Sequence, residues 1–390
     1  MRSALTLALA LCAAGIVSVL VGCKGGDDSG VTDTHVKLGL FVSTSGQVQT
    51  YGQDTKNGVD LAVEEINKAG GINGKQIEIV FANTNSKADE ARQAASQLAT
   101  KDKVFLAMGA VSSGLSLAAA PVFQEAGIPM ISPSSTNPEV TKKGDLIFRI
   151  CFLDDFQGGA CAQFATKDVS AKRAAILFNQ SNDYSKGLAQ FFKKKFIELG
   201  GEIVNEQSFK EGDTNFDTQI SSIAGQNPDV IFLPCYYGNV GLVARAIRQV
   251  KELETVPLLG GDGWESGELV KTAGDALEGC YFGNHYSQED PRELVQNFVS
   301  AYKDKYGVTP TSLAALGYDL VYVVKKAIES AGKYDRQAVA EALRKLKDFE
   351  AVTGTFSIDE NRNARKPISI LRIEGTKFLP HKQIKPEDVE

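Results

Sequence analysis

The chain holds 390 residues, of which 43% are hydrophobic and 23% charged, the balance of a globular protein rather than of a disordered or fibrous one. A formal net charge of −6 argues against nucleic acid as a partner, since such surfaces are built from clustered Lys and Arg. Once an N-terminal leader is set aside, the remaining length suits about two domains of ~100–200 residues each.

The first thirty residues read as an export segment. Arg2 gives a positive start, residues 4–20 are almost wholly apolar, and Leu20-Val21-Gly22-Cys23 closes the run. The run is short for a membrane span and stands where a secretory signal stands. Its last four residues are similar to a bacterial lipobox, in which cleavage before the cysteine leaves Cys23 to carry lipid. Residues 1–22 are therefore expected to be a signal peptide, and residues 23–34 a lipidated tether made flexible by the glycines of 25–30. The mature chain is expected outside the cytoplasm, held at a membrane through Cys23. Nothing later in the chain is apolar for long enough to span a bilayer.

From residue 36 onward, strands and helices alternate. Val36, Leu38, Leu40, Phe41 and Val42 mark a buried strand. Val59, Ala62, Val63 and Ile66 recur at helical spacing, and Gly70-Gly71 ends that helix. A strand at 77–81 follows, then a helix carrying Ala91, Ala94, Ala95 and Leu98, a strand at 104–108, a Ser/Gly loop, an alanine-rich helix ending at Gly127, and a strand at 128–131. The rhythm restarts with a strand at 173–178. Leu188, Phe191, Phe192, Phe196 and Leu199 face one side of the next helix, which Gly200-Gly201 closes. Further strands fall at 229–233, 256–259 and 279–282. Alternation of this kind builds parallel sheets covered by helices on both faces, and two such runs predict two similar α/β lobes.

Of the six cysteines, Cys12 belongs to the leader and Cys23 to the lipid site, which leaves Cys151, Cys161, Cys235 and Cys280. An exported chain can oxidise them, and four cysteines allow three full pairings. Cys151 with Cys161, ten residues apart across a strand-to-helix turn, is the pair favoured. Zinc spacing is absent, and His35, His285 and His381 are scattered. The sequence holds no GxSxG, HExxH, GxGxxG or P-loop. Asp213, Asn215 and Asp217 have the spacing that opens a calcium loop, but Thr218 replaces its turn glycine and Ala224 its bidentate acid, so turn and N-cap roles are expected. No catalytic set, metal site or cofactor is expected.

Small hydroxyl residues and glycines cluster instead just after strand ends. Ser112-Ser113-Gly114 follows one strand, and the run from Ser132 through Ser134, Ser135 and Thr136 follows another. Ligands of open α/β sheets bind at the carboxyl ends of strands, where helix N-termini favour anions. Such loops also serve as ordinary turns and caps. In the second run, Gly260-Gly261-Asp262-Gly263-Trp264 places an acid after a strand, and Tyr236 follows another. Tyr51, Tyr184 and Trp264 could wall an apolar side chain. Carboxylate donors in one lobe and an acid in the other are what an α-amino acid zwitterion needs.

These residues are accompanied by longer stretches that match a family. The chain from residue 35 to about 374 resembles the bacterial branched-chain amino acid binding proteins, the periplasmic solute-binding components of ABC importers. The resemblance is carried by Gly46-Gln47-Val48-Gln49-Thr50-Tyr51-Gly52, Glu65-Ile66-Asn67-Lys68-Ala69-Gly70-Gly71-Ile72-Asn73-Gly74 and Pro129-Met130-Ile131-Ser132-Pro133-Ser134-Ser135-Thr136. It continues in Phe148-Arg149, Asp155-Phe156-Gln157-Gly158, Tyr184-Ser185-Lys186-Gly187 and Asn227-Pro228-Asp229-Val230-Ile231.

The fold this resemblance implies is α/β, two Rossmann-like lobes joined by three crossover strands, the type I periplasmic binding fold. Residues 35–153 with 285–355 would form one lobe and 154–284 with 356–390 the other. The implied carboxylate-binding residues are Ser113, Ser134 and Thr136. Asp262 and Tyr236 would meet the ammonium, and Tyr51, Tyr184 and Trp264 the ligand's side chain. Asp262 stands where several members have Glu, and Ser112 replaces one cysteine of a disulfide some members carry. The implied role is capture of leucine, isoleucine or valine and delivery to an inner-membrane ABC permease, by a monomer that makes or breaks no bond. The rivals are the same fold holding an aromatic amino acid, an amide or a small acid, and a ligand-sensing module.

Overall fold

The computed structural model describes residues 29–389, so the expected signal peptide and Cys23 lie outside it. The apolar runs form strands at or near their expected positions. β1 (His35–Val42), β2 (Gln76–Asn83), β3 (Leu106–Gly109), β4 (Met130–Ser132) and β5 (Ile147–Arg149) make one sheet in the order β2-β1-β3-β4-β5. Every pairing in it is parallel. Central β1 is apolar almost throughout because helices cover both its faces, and Leu38, Leu40, Phe41 and Val42 are fully buried.

The second sheet takes β6 (Arg173–Asn179), β7 (Glu202–Phe209), β8 (Val230–Phe232), β9 (Leu258–Gly260) and β10 (Tyr281–Asn284). After the short pair β11 (Ser357–Ile358) and β12 (Ala364–Arg365), the chain adds β13 (Ile368–Glu374) and β14 (Lys377–Ile384) as an antiparallel edge. The order is β14-β13-β10-β9-β8-β6-β7.

Helices cover both sheets. α1 (Gln49–Lys68), α2 (Ala88–Ser96) and α3 (Ser113–Glu125) connect the first strands. α4 (Asp154–Lys167), α5 (Asp183–Glu198), α6 (Asp217–Ala224), α7 (Tyr237–Arg248) and α8 (Gly267–Ala273) belong to the second run. α9 (Glu293–Tyr306), α10 (Ser312–Ala331) and α11 (Arg336–Arg344) return to the first lobe. Lys305 of α9 pairs with Glu64 of α1 at 2.6 Å. α10 crosses α1 where both present glycine: a Cβ on Gly58 would lie 1.9 Å from the Ala314 carbonyl, and one on Gly317 2.2 Å from that of Thr55.

The chain thus passes between lobes three times, after β5, after β10 and before β13. The crossings are pinned by buried charge. Lys366 donates to the Ile150 carbonyl at 3.1 Å and the Thr353 hydroxyl at 2.6 Å. Burial pushes its ammonium down to about 8, against the attraction of buried Asp319. Residues 357–365 hydrogen-bond to the first lobe: Arg149 N–H donates to the Arg362 carbonyl at 3.2 Å and the Thr141 hydroxyl to Asn363 Oδ1 at 3.1 Å. We therefore place the third crossing at Lys366, later in the chain than the expected boundary at 356.

All four cysteines of the folded region are unpaired and buried. The favoured Cys151–Cys161 pairing is corrected: Cys151 lies in the first crossing, while the Cys161 thiol turns inward to the Gly260 carbonyl at 3.6 Å. Burial pushes the Cys151 and Cys235 thiols up to about 12 each. The Asp213 region forms the expected turn: Asp213 accepts from Lys210 N–H at 2.7 Å, and Asn215 from Asp217 N–H at 2.9 Å, at the start of α6.

Candidate functional site

Strand β9 ends at Gly260 and delivers Asp262 to the cleft between the lobes. The two glycines before it are required sterically. A Cβ on Gly260 would lie 2.0 Å from the Trp264 indole, and one on Gly261 2.7 Å from Gln157 Oε1, Leu188 and the Tyr184 hydroxyl. Those close approaches let three donors converge on the Asp262 carboxylate. Oδ1 accepts from Tyr184 OH at 2.9 Å and from Gln157 Nε2 at 3.0 Å, while His285 Nε2 lies 3.0 Å from Oδ2. Gln157 Oε1 also accepts the Asp262 backbone N–H at 2.7 Å. A buried carboxylate needs such partners, because stripping its water without replacement costs several kcal/mol.

Aromatic rings hold the acid from the side. Tyr184 and Tyr236 stack with centroids 4.9 Å apart and planes 7° from parallel. Tyr51 of α1 meets Tyr236 and Tyr237 edge-on at 5.7 and 5.1 Å, and its hydroxyl donates to the Gly263 carbonyl across the cleft.

The facing wall comes from the first lobe. Ser112 precedes α3 in extended conformation, so Ser113 opens a 13-residue helix. The first turn of a helix has N–H groups without intrahelical acceptors and carries the positive end of the dipole. The serines divide their work. Ser132 and Ser135 donate to the Ala110 carbonyl at 2.8 and 3.1 Å, and Ser116 accepts the Ala110 N–H at 3.0 Å, so these three hold the loop after β3. Ser134 donates to the Val111 carbonyl at 2.8 Å and Ser113 accepts the Asn137 N–H at 3.2 Å, and both also line the cavity.

That cavity, with free room for about one water molecule in this closed form, is walled by six of the eight ligand residues expected from sequence: Tyr51, Ser113, Ser134, Tyr184, Tyr236 and Asp262. Val111, Gly263 and Leu313 complete it. Two expected residues do not line it. Trp264 is wholly buried behind the loop, where its indole N–H donates to the Leu233 carbonyl at 2.9 Å and its ring packs against Phe282. Thr136 is also buried, and its carbonyl accepts the Asp154 N–H at 3.0 Å. Sequence reasoning missed Gln157 and His285. Gln157 lies inside a stretch already singled out, Asp155-Phe156-Gln157-Gly158, whereas His285 carried no spacing signal.

The lobes are closed on each other. Thr50 and Ser266 hydroxyls meet at 3.2 Å, and Asn137 Nδ2 donates to the Asp183 carbonyl at 2.9 Å. Glu265 of the second lobe accepts the Ser312 N–H at 2.7 Å and the Ser312 hydroxyl at the start of α10 in the first. Burial, partly offset by the Ser312 donors, pushes the Glu265 carboxyl up to about 7. Beside it, Asp54 accepts from the Thr311 hydroxyl at 2.9 Å, and burial pushes it up to about 6.

Two α/β lobes meeting over a small cavity lined by phenols, hydroxyls, apolar side chains and one carboxylate have the form of a ligand-binding protein. The family model described as periplasmic binding protein matches residues 35–377, and the chain belongs to that family. It is a solute-binding protein, not an enzyme. It is 31% identical over 338 residues to the Leu/Ile/Val-binding protein homolog 1 of Brucella abortus, covering 85% of this chain and 88% of that one. It is 38% identical to a solved leucine binding protein, LivK, of Thermotoga maritima, with a TM-score of 0.86 over 90% of this chain and 99% of that one. A solved LivJ of Streptococcus pneumoniae, in complex with isoleucine, is 34% identical with a TM-score of 0.85 over 90% and 100% of the two chains.

Closure carries a proton linkage. Opening returns Glu265 to water, where glutamate titrates near ~4.3. The closed form, with the carboxyl raised to about 7, holds a proton the open form has lost, so closure is favoured as pH falls through that window and disfavoured above it. Small-angle scattering of the ligand-free protein should give a smaller radius of gyration at about pH 5.5 than at about pH 8, and Glu265→Gln should remove most of the difference. A radius that is constant, or that grows as pH falls, contradicts the linkage.

Proposed function

We propose that the protein captures an aliphatic α-amino acid, leucine, isoleucine or valine, between its lobes and delivers it to the permease of an ABC importer. The observation that carries this reading is the opposition of Asp262 to Ser113 and Ser134 across one enclosed cavity. The acid suits an ammonium. The Ser113 hydroxyl, which acts as an acceptor toward Asn137, and the N–H groups opening α3 suit a carboxylate. Val111 and Leu313, with the aromatic walls, suit a small apolar side chain. The names of the Brucella and Thermotoga relatives and the isoleucine held by the Streptococcus structure point the same way. Asp262 speaks against a simple carboxylic acid as ligand, because such a ligand leaves the buried charge without a counter-ion.

The protein acts on the extracytoplasmic side of the membrane, as a monomer tethered through lipid on Cys23. An intact mass of the native protein that showed the leader still attached and residue 23 unmodified would remove the tether from this account.

Asp262→Ala should weaken leucine binding at least about tenfold, since a charge-assisted hydrogen bond contributes about 1.5–3 kcal/mol and ~1.4 kcal/mol is one decade. Ser113→Ala removes one neutral donor and should cost less. Calorimetry on the two variants tests the order, and leucine affinity undiminished in Asp262→Ala would sink the reading.

A further inference from the structure

We propose that His285 is the positioning residue of this site: its neutral ring donates Nε2–H to Asp262 and thereby holds that carboxylate as an aimed, uncompensated anion that selects ligands bearing an ammonium. The inference rests on Asp262 as the ammonium partner and adds the group that makes it selective.

The geometry leaves the imidazole little choice. Nε2 lies 3.0 Å from Asp262 Oδ2, the side chain is fully buried, and the ring stacks on Phe152 with centroids 3.9 Å apart and planes 24° from parallel. Nδ1, also buried, has no hydrogen-bond partner among the described residues. Burial, outweighing the pull of Asp262, lowers the proton affinity of the ring below that of an ordinary histidine, so it is neutral. A neutral imidazole carries one N–H, and only a proton on Nε2 can answer the carboxylate. The charge state matters for recognition. An imidazolium here would neutralise Asp262 before any ligand arrived, whereas a neutral donor orients the acid and leaves its charge for the ligand.

Among the described residues no Lys or Arg contacts the Asp262 carboxylate directly. Asp154 of α4 shares Gln157 Nε2, which lies 3.2 Å from Asp154 Oδ1 and 3.0 Å from Asp262 Oδ1. Burial, followed by the Asp262 charge, pushes the Asp154 carboxyl well above the usual carboxylate range, which favours its protonated form. Burial likewise pushes up the Tyr184 and Tyr236 phenols and the Cys151 and Cys161 thiols, which stay protonated. Arg149 directs its guanidinium to the Ser135 and Asn137 carbonyls. Lys366 is committed to Ile150 and Thr353. His285 and Phe152 also stand on two different crossings, so the ring that steers Asp262 is clamped at the hinge of the lobes.

A double-mutant cycle tests the assignment with leucine as the probe. His285→Phe keeps the ring stack and removes the donor; it should weaken leucine binding at least about tenfold in the parent and by less than about twofold in an Asp262→Ala background. His285→Gln retains an N–H donor and should stay within about threefold of the parent. An equal loss in both backgrounds, or none in the parent, overturns the proposal, because a merely structural histidine would not act through Asp262. Undiminished leucine binding in Asp262→Ala alone would instead overturn the reading of the site. Nitrogen-15 NMR of the parent decides independently of any variant: the His285 proton should reside on Nε2, and a proton on Nδ1 alone overturns the proposal.

Discussion

Taking a carboxylate out of water demands either a cation or a set of donors, and the whole second-lobe wall is arranged to meet that demand at Asp262. Three side chains from three different segments reach it: Tyr184 from α5, Gln157 from α4 and His285 from the second crossing. Tyr184 and Gln157 are neutral donors, and burial disfavours the charged form of His285. The carboxylate is thus hydrogen-bonded by the protein at the wall of the cavity. On the proposed reading a ligand that brings an ammonium would complete the pair, and one without it would leave the carboxylate without a counter-ion, which would be the basis of selection at this site.

The same turn that presents Asp262 also joins the lobes. Residues 263–266 follow it directly and touch the first lobe at Tyr51, Thr50 and Ser312. Ligand contact and lobe contact are thus one short segment apart, so occupying the cavity and closing over it are coupled by a few rigid residues. A ligand held only by the closed form shifts the open–closed balance by its differential affinity for the two forms. Glu265 adds a second bias, since its contact with the N-terminus of α10 exists only when the lobes meet.

Much of this was legible in the residues. Alternating apolar strands and glycine-stopped helices announced two α/β lobes, because buried parallel strands carry few polar residues and Gly ends helices cheaply. Six residues of the cavity wall were named because short hydroxyl side chains, exposed acids and aromatics after strand ends are where such sheets bind ligands. Trp264 was misplaced for a physical reason. Its position after a strand suits a ligand wall, but Gly260 leaves a slot behind the loop that the indole fills, and nothing local signals that direction. Thr136 followed the same logic as Ser134 and lies too deep. The antiparallel edge β13–β14 and the donors Gln157 and His285 depend on segments far apart in the chain. His285 meets Asp262 only after the second crossing is folded, so a scattered histidine in the sequence became part of a site in space. The unpaired cysteines show the limit of spacing arguments: ten residues between Cys151 and Cys161 say nothing about which way either thiol turns.

The most direct measurement is a crystal structure of the protein grown with leucine. The ligand should occupy the cavity between the lobes, its ammonium about 2.7–2.9 Å from Asp262 and its carboxylate against Ser113, Ser134 and the N–H groups opening α3. Leucine bound in the reverse orientation, bound elsewhere, or absent from a closed cleft at saturating concentration would contradict the account.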